Sequence, residues 1–200
     1  MTLTTWNVRS LYWPGALAKL KDELNKYGIV IVAVQEIRWS GSKIFDSGDC
    51  IVCYSGNKGR RQFGTGFIIN ERYKHLILGF SPERDRICSL RIRGVFFNTT
   101  IVCVHAPVDE KNEMQEGDFY EDLERIYIKV LKDDIKVVMG DFNVKVGKES
   151  GVAPNVGKYG LHEETNNNGW RMTEFAITKN MAISSTLFQK NSQRNMEITR

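Results

Sequence analysis

Glu36, Asp141 and Asn143 stand where the sequence otherwise promises a core. The run "IVIVAVQE" carries six aliphatic residues towards Glu36, and "KVVMGDFN" ends on Asp141 with Asn143 two residues later. An ionised carboxylate beside a core strand is costly unless something pairs with it, and a divalent cation at the open end of a sheet is a simple partner. Two other apolar stretches finish in the same way, "TTWN" on Asn7 and "IVCVH" on His105. If these four ends share one rim, they assemble two oxygen ligands suited to magnesium, plus an amide pair and a histidine to grip a phosphate and position water. Magnesium takes only one or two protein carboxylates and fills its shell with water and phosphate oxygens, so this sparse acid count suits it better than calcium. The chemistry expected is hydrolysis of a phosphoester. Asp141, helped by Asn143, deprotonates or orients the attacking water, while Glu36 holds the metal that neutralises charge on the phosphate and leaving oxygen.

Each residue alone has a plainer reading. Asp141 after Gly140 suits a turn, Glu36 suits a surface ion pair with Arg38, Asn7 suits a local cap, and a lone histidine on an apolar strand suits the core. Their joint occurrence at strand ends favours a site.

The elements that must position these groups follow from periodicity. "MTLTTWN" alternates like an opening strand, and "WPGALAKLKDELNKYG" puts Leu17, Leu20, Leu24 and Tyr27 on one stripe, with Pro14 suited to a helix start and Gly28 to a stop. The β-branched run 29–34 reads as a strand covered on both faces. "CIVCYS", "TGFII", "RICSLRI" and "VFFNTTIVCVH" read as further strands, mostly antiparallel, between turn-rich or charged segments. "GDFYEDLERIYIKVLKDD" predicts an amphipathic helix capped by Asp118, with Phe119, Leu123, Ile126, Tyr127, Val130 and Leu131 facing inward. A polar loop over 144–167, a helix from Asn168 to about Asn180 and an apolar piece at "AISSTLF" complete the chain. Strands mixed with a few helices predict a layered α/β or α+β architecture, helices outside sheets.

Composition sets the frame. The chain has 200 residues, 42% hydrophobic and 26% charged, which is read as one domain over residues 1–200. It contains no apolar run of about 18 residues, and its N-terminus lacks the basic stretch and apolar core of a secretory signal, so a soluble, intracellular chain without membrane contact is expected. The net charge of +4 fits a polyanionic partner without requiring one. Cys50 and Cys53, three residues apart on a strand, point to opposite faces, which disfavours a zinc half-site or local disulfide; with Cys88 and Cys103 they are expected as reduced core thiols.

The segments "TWNVRSL", "VQEIRW", "GTGFII", "HAP" and "GDFNVKVG" occur in the order and approximate spacing of the endonuclease/exonuclease/phosphatase superfamily, which the chain resembles from Thr4 to about Phe188. Within it, LINE-type retrotransposon endonuclease domains and the craniofacial development protein 2-like sequences look most similar. The resemblance implies a deoxyribonuclease I-like two-sheet β-sandwich with outer helices, a rim site dependent on Mg2+, with Mn2+ as a substitute, and DNA as the substrate class. It implies Glu36, Asn7 and Asp141 as the metal set, Asp141 and Asn143 as the acid and amide acting on the water, and His105 where the family more often has a tyrosine at the scissile phosphate. It makes Asn168, in "NNNGWRMTEFA", a helix cap. The family pattern continues into a Trp-containing strand, an acid in an "ID" strand and a terminal Ser-Asp-His; "QKNSQRNMEITR" holds none of these, and His75 and His162 lie in segments that do not match. The expectation is therefore a domain truncated at its C-terminus, with uncovered sheet edges, or one segment of a larger polyprotein. Three readings remain: a DNA endonuclease, a non-catalytic remnant, and a phosphatase acting on small phosphoesters. Arg9 and the loop residues Lys58, Arg60 and Arg61 are the candidate contacts to a nucleic-acid backbone.

Overall fold

The structure is a computed structural model that describes residues 1–59, 61–108, 113–148 and 155–188. Its strands are β1 (Leu3–Asn7), β2 (Ile31–Gln35), β3 (Ser42–Asp46), β4 (Cys50–Ser55), β5 (Thr65–Asn70), β6 (Ile77–Ser81), β7 (Ile87–Ile92), β8 (Thr99–His105) and β9 (Ile135–Asp141). They form a five-stranded sheet, β1-β2-β5-β4-β3, and a four-stranded sheet, β6-β7-β8-β9. The pairs β1–β2 and β8–β9 are parallel and the other neighbours antiparallel. The helices are α1 (Ala16–Lys26), α2 (Glu113–Lys129), α3 (Asn167–Thr178) and α4 (Ser184–Leu187). Two compact units result: residues 1–106 with 121–142, which hold both sheets, and residues 107–120 with 143–200.

Within the first unit, strand alternation decides which residues fill which layer. Ile31, Ala33, Ile51, Cys53, Phe67 and Ile69 from the larger sheet meet Cys88, Leu90, Ile92, Ile101 and Cys103 from the smaller one, forming the core of a two-sheet sandwich. The alternate residues Val32, Val34, Cys50, Val52 and Ile68 cluster on the outer face with Leu20 and Leu24 of α1. Cys50 and Cys53 thus lie in different cores, and all four cysteines are buried and free. Helix α1 stops because Gly28, at φ 61, turns the chain so that its N–H donates to Asn25 O at 3.1 Å and the Ile29 N–H to Leu24 O at 2.9 Å. The second half of α2 lies beside the smaller sheet: Lys136 Nζ sits 4.7 Å from the Tyr127 ring centroid, and Arg84 approaches Asp122 at 3.3 Å. At the Thr99 end of that sheet Asp134 accepts from Arg91 at 2.8 and 3.0 Å and from Thr100 at 2.6 Å, which holds its carboxyl below the usual range and ties three strands together.

In the second unit, Val146, Val156, Ala176 and Ile183 form a small core. Buried Glu116 of α2 accepts from Asn167 at 2.5 Å and lies 3.5 Å from Arg171 Nε.

Several boundaries differ from the sequence reading. The edge strands β3 and β6 were not anticipated, because residues exposed on both faces of an edge carry no apolar alternation. The start of "VFFNTTIVCVH" is an exposed turn, with Phe96 91% accessible, and β8 begins only at Thr99. Helix α2 runs through Asp118 and stops at Lys129, so Asp118 is not its cap and Leu131 is 54% exposed. The cap of α3 is Asn166, whose side chain accepts from Gly169 N at 2.9 Å. Asn168 is instead fully buried, its Nδ2 donating to Pro107 O at 2.8 Å.

Candidate active site

Asn7, Glu36, His105 and Asp141 come together at one rim of the first unit. Asn7 ends β1 and pairs in register with Gln35, so Glu36 follows directly beyond its neighbouring strand. His105 and Asp141 are register partners at the ends of β8 and β9. Parallel pairing therefore puts each pair of ends on the same side, and the sandwich brings the two pairs face to face.

The link between the sheets is one amide. Asn7 Nδ2 donates to Glu36 Oε1 at 2.9 Å and to Asp141 Oδ2 at 2.8 Å, while Asn7 Oδ1 accepts from Arg9 N at 3.0 Å. Both amide hydrogens are thereby spent on acids, which fixes the orientation of the side chain. Glu36 adopts φ 58, a left-handed backbone that is strained for a residue with a side chain. Its second oxygen accepts from Arg38 Nη2 at 2.7 Å, so the ion pair readable from sequence forms alongside the contact to Asn7. Burial raises the Glu36 carboxyl, but the hydrogen bonds from Asn7 and Arg38 outweigh it and hold the pKa below its ordinary value.

His105 is 5% exposed, with Nε2 3.9 Å from Glu36 Oε1 and Nδ1 buried without a hydrogen-bond partner. Burial, reinforced by the Arg86 charge, pushes its pKa below the ordinary value despite the opposing pull of Asp141 and Glu36. Asn143 lies two residues past Asp141 at φ 51; it belongs to the second unit, where its carbonyl accepts from Asn166 Nδ2 at 3.1 Å.

Both shifts slope the same way with pH. His105 resists protonation when folded but not when unfolded, so stability falls as pH drops below 6.5, its ordinary value. Glu36 contributes stability that is present above 4.5 and is lost as pH falls through its lower folded value. In chelator, the unfolding midpoint is expected to climb from pH 4 to 7. His105→Gln should flatten the upper part of that rise and Glu36→Gln the lower part; a midpoint indifferent to pH in this range would contradict both assignments.

The donors fit a divalent cation. Two carboxylates converge on one amide, and Glu36 is held ionised, as a ligand must be. Among the described residues no three His, Cys, Asp or Glu side chains group to hold a metal.

Sequence reasoning missed Arg86 and Phe63. The Arg86 Nη1 donates to His105 O at 3.1 Å, and its guanidinium carbon lies 3.7 Å from the Phe63 ring centroid. The sequence offered no signal for Arg86; the antiparallel pairing of β7 with β8, in which Ile87 faces Val104, puts it opposite His105. Of the basic candidates, Arg9 and Lys58 are exposed, and Arg61 stacks on Tyr12 at 4.4 Å and hydrogen-bonds its hydroxyl. Arg60 lies outside the described residues. No helix among the described residues is long and apolar enough to cross a membrane.

The profile of the Endonuclease/Exonuclease/phosphatase family matches residues 4–180. Craniofacial development protein 2 of Bos taurus and of Tragulus javanicus is 35% identical over 190 residues, covering 95% of this chain and 32% and 33% of theirs. The chain thus spans about a third of the length of these curated relatives. The Xenopus laevis APE2 catalytic domain superposes with a TM-score of 0.61 at 13% identity, covering 88% of this chain and 67% of that one. The endonuclease domain of TRAS1, a telomere-specific non-LTR retrotransposon, does so with 0.55 at 17% identity, covering 86% and 67%. At such identities these structures establish the fold, the deoxyribonuclease I-like sandwich with flanking helices. Matched along most of its length by the family profile and built on the same paired sheets, the chain belongs to the endonuclease/exonuclease/phosphatase family.

Proposed function

We propose that the rim is a divalent-metal-dependent phosphodiesterase site that cuts the DNA backbone by attack of water. The observation that carries this reading is the Asn7 amide, hydrogen-bonded at once to Glu36 and Asp141 from opposite sheets. Glu36 and Asp141, with Asn7 beside them, are the residues that would hold the ion. When bound, magnesium or manganese supplies positive charge to the phosphate and the leaving oxygen. Asp141 takes or directs the proton of the attacking water, and Asn143, two residues further along the chain, helps to orient it. His105, neutral at pH 7, offers a ring N–H to a phosphate oxygen. Arg38 keeps Glu36 ionised.

DNA is the proposed substrate on chemical grounds and because an endonuclease domain of a retrotransposon shares the fold. Arg9, Lys58, Arg60 and Arg61 are the proposed contacts to flanking phosphates. The domain proposed to carry this site is one family domain spanning residues 1–200.

The test is nicking of supercoiled plasmid by the purified chain. Magnesium is expected to yield relaxed circles, chelator none, and Glu36→Gln roughly two orders of magnitude less product. Plasmid left intact with both magnesium and manganese would sink the reading in favour of a remnant without catalysis. Hydrolysis of inositol phosphates with plasmid untouched would keep the chemistry and replace the substrate.

A further inference from the structure

Val95 and Phe96 are more than nine-tenths exposed and Phe97 more than half, three consecutive apolar side chains at the tip of the turn that joins β7 to β8. The turn is tightly folded: a Cβ at Gly94 would lie 1.9 Å from Phe97 O, and the Gly94 N–H donates to Asn98 Oδ1 at 3.4 Å. Its neighbours widen the apolar area. The Ile135 N–H donates to Asn98 O at 2.8 Å, which sets the exposed Ile135 and Leu131, from the turn between α2 and β9, beside the base of the tip. On the other flank the Arg93 N–H donates to Leu76 O at 2.8 Å, at the end of the 3₁₀ turn Glu71–Leu76. A contiguous exposed patch of this kind marks a binding surface.

Charge decides what such a patch meets. Over residues 71–76, 91–98 and 131–136 six lysines and arginines stand against three acids, an excess of three in a chain whose net charge is +4. Two of those acids are committed, Asp134 to Arg91 and Glu71 to Lys74, whereas the exposed Arg93 and Lys132 form no ion pair among the described residues. Two copies of so basic an end would repel each other across a two-fold contact. A protruding aromatic tip with basic flanks is instead suited to an anionic surface soft enough to admit its rings.

We propose that the β7–β8 tip docks the domain onto an anionic lipid surface, with Val95, Phe96 and Phe97 inserted at the headgroup boundary and Arg93 and Lys132 over the headgroups. No spanning helix is needed, since a short apolar wedge combined with basic side chains binds reversibly at the interface. Strand β8 begins beside this tip at Thr99 and ends at His105, so about 20 Å of extended chain separates the lipid contact from the rim and leaves the rim facing water.

The experiment is co-sedimentation of the purified chain with vesicles, one set of phosphatidylcholine alone and one of phosphatidylcholine and phosphatidylserine in a two-to-one ratio. Binding to the mixed vesicles is expected, weakening as salt rises, with affinity for phosphatidylcholine alone about tenfold lower. On the mixed vesicles Phe96→Ser should cost about tenfold and Arg93→Gln about fivefold. Phe96→Trp should keep binding and be quenched by brominated phosphatidylcholine beyond the parent's own tryptophans, a sign of insertion that charge attraction alone does not give. Both positions are exposed, so folding is not at stake. A parent that leaves both kinds of vesicle unbound, or a Phe96→Ser chain that binds as the parent does, would overturn the proposal. Unbound vesicles together with a concentration-dependent dimer in light scattering that Phe96→Ser dissociates would overturn it in favour of a second copy of this chain. None of these readouts involves nicking, so the result stands apart from the reading of the rim.

Discussion

Asp141→Asn is expected to lower plasmid nicking by roughly 10²- to 10⁴-fold, the range that loss of a positioned proton acceptor produces. The replacement is nearly isosteric, and its Oδ1 can still accept from Asn7 Nδ2, the 2.8 Å bond that joins the sheets. What disappears is a negative charge and the ability to take a proton. The unfolding midpoint in chelator should therefore stay level or rise slightly, because two carboxylates sharing one amide repel each other. Reduced cleavage with undiminished stability would mark a chemical role. Cleavage within a few-fold of the parent would remove Asp141 from the mechanism.

Gly140→Ala should be strongly destabilising. Gly140 has φ 147, a conformation that side chains rarely adopt, and a Cβ built there would lie 2.0 Å from Val104 O. Val104 is its register partner across the parallel pairing of β8 with β9. Close approach of the two strands at this point sets the positions of the next residues along, His105 and Asp141. Strain and overpacking together predict a loss of about 3 kcal/mol or more in denaturant unfolding, with nicking lost as well. Ile128→Ala, on an exposed position of α2, serves as the control and should change stability by less than about 0.5 kcal/mol. A Gly140→Ala protein as stable as that control would mean that the strands do not approach so closely.

Much of the site was legible because its members end strands. Glu36, His105 and Asp141 each follow an apolar run, fully buried in β2, almost fully in β8 and only half-buried in β9, and a polar residue there is conspicuous. Asn7 is weaker as a signal, and it was singled out only because three other strands finish in the same manner. Arg86 gave none, since an arginine in "SPERDR" looks like any solvated turn until β7 is paired with β8. Phe63 was hidden in the same way: its value lies in a backbone conformation at φ 58 that no propensity favours. The cap of α3 was misplaced by two residues because three consecutive asparagines, Asn166 to Asn168, are equivalent on propensity, and packing sends Asn168 into the interior.

By itself the sequence determined the inner strands and the amphipathic helices, though not the exposed edge strands β3 and β6, because apolar periodicity depends on neighbours within a few residues. It also determined that acids and amides close the most hydrophobic strands. Tertiary structure alone decided that β1 and β2 run parallel beside each other and that β9 lies across the sandwich, where Asn7 reaches Asp141 over 134 residues of chain. Such a contact has no local signature, since its formation depends on how two sheets bury their inner faces against each other.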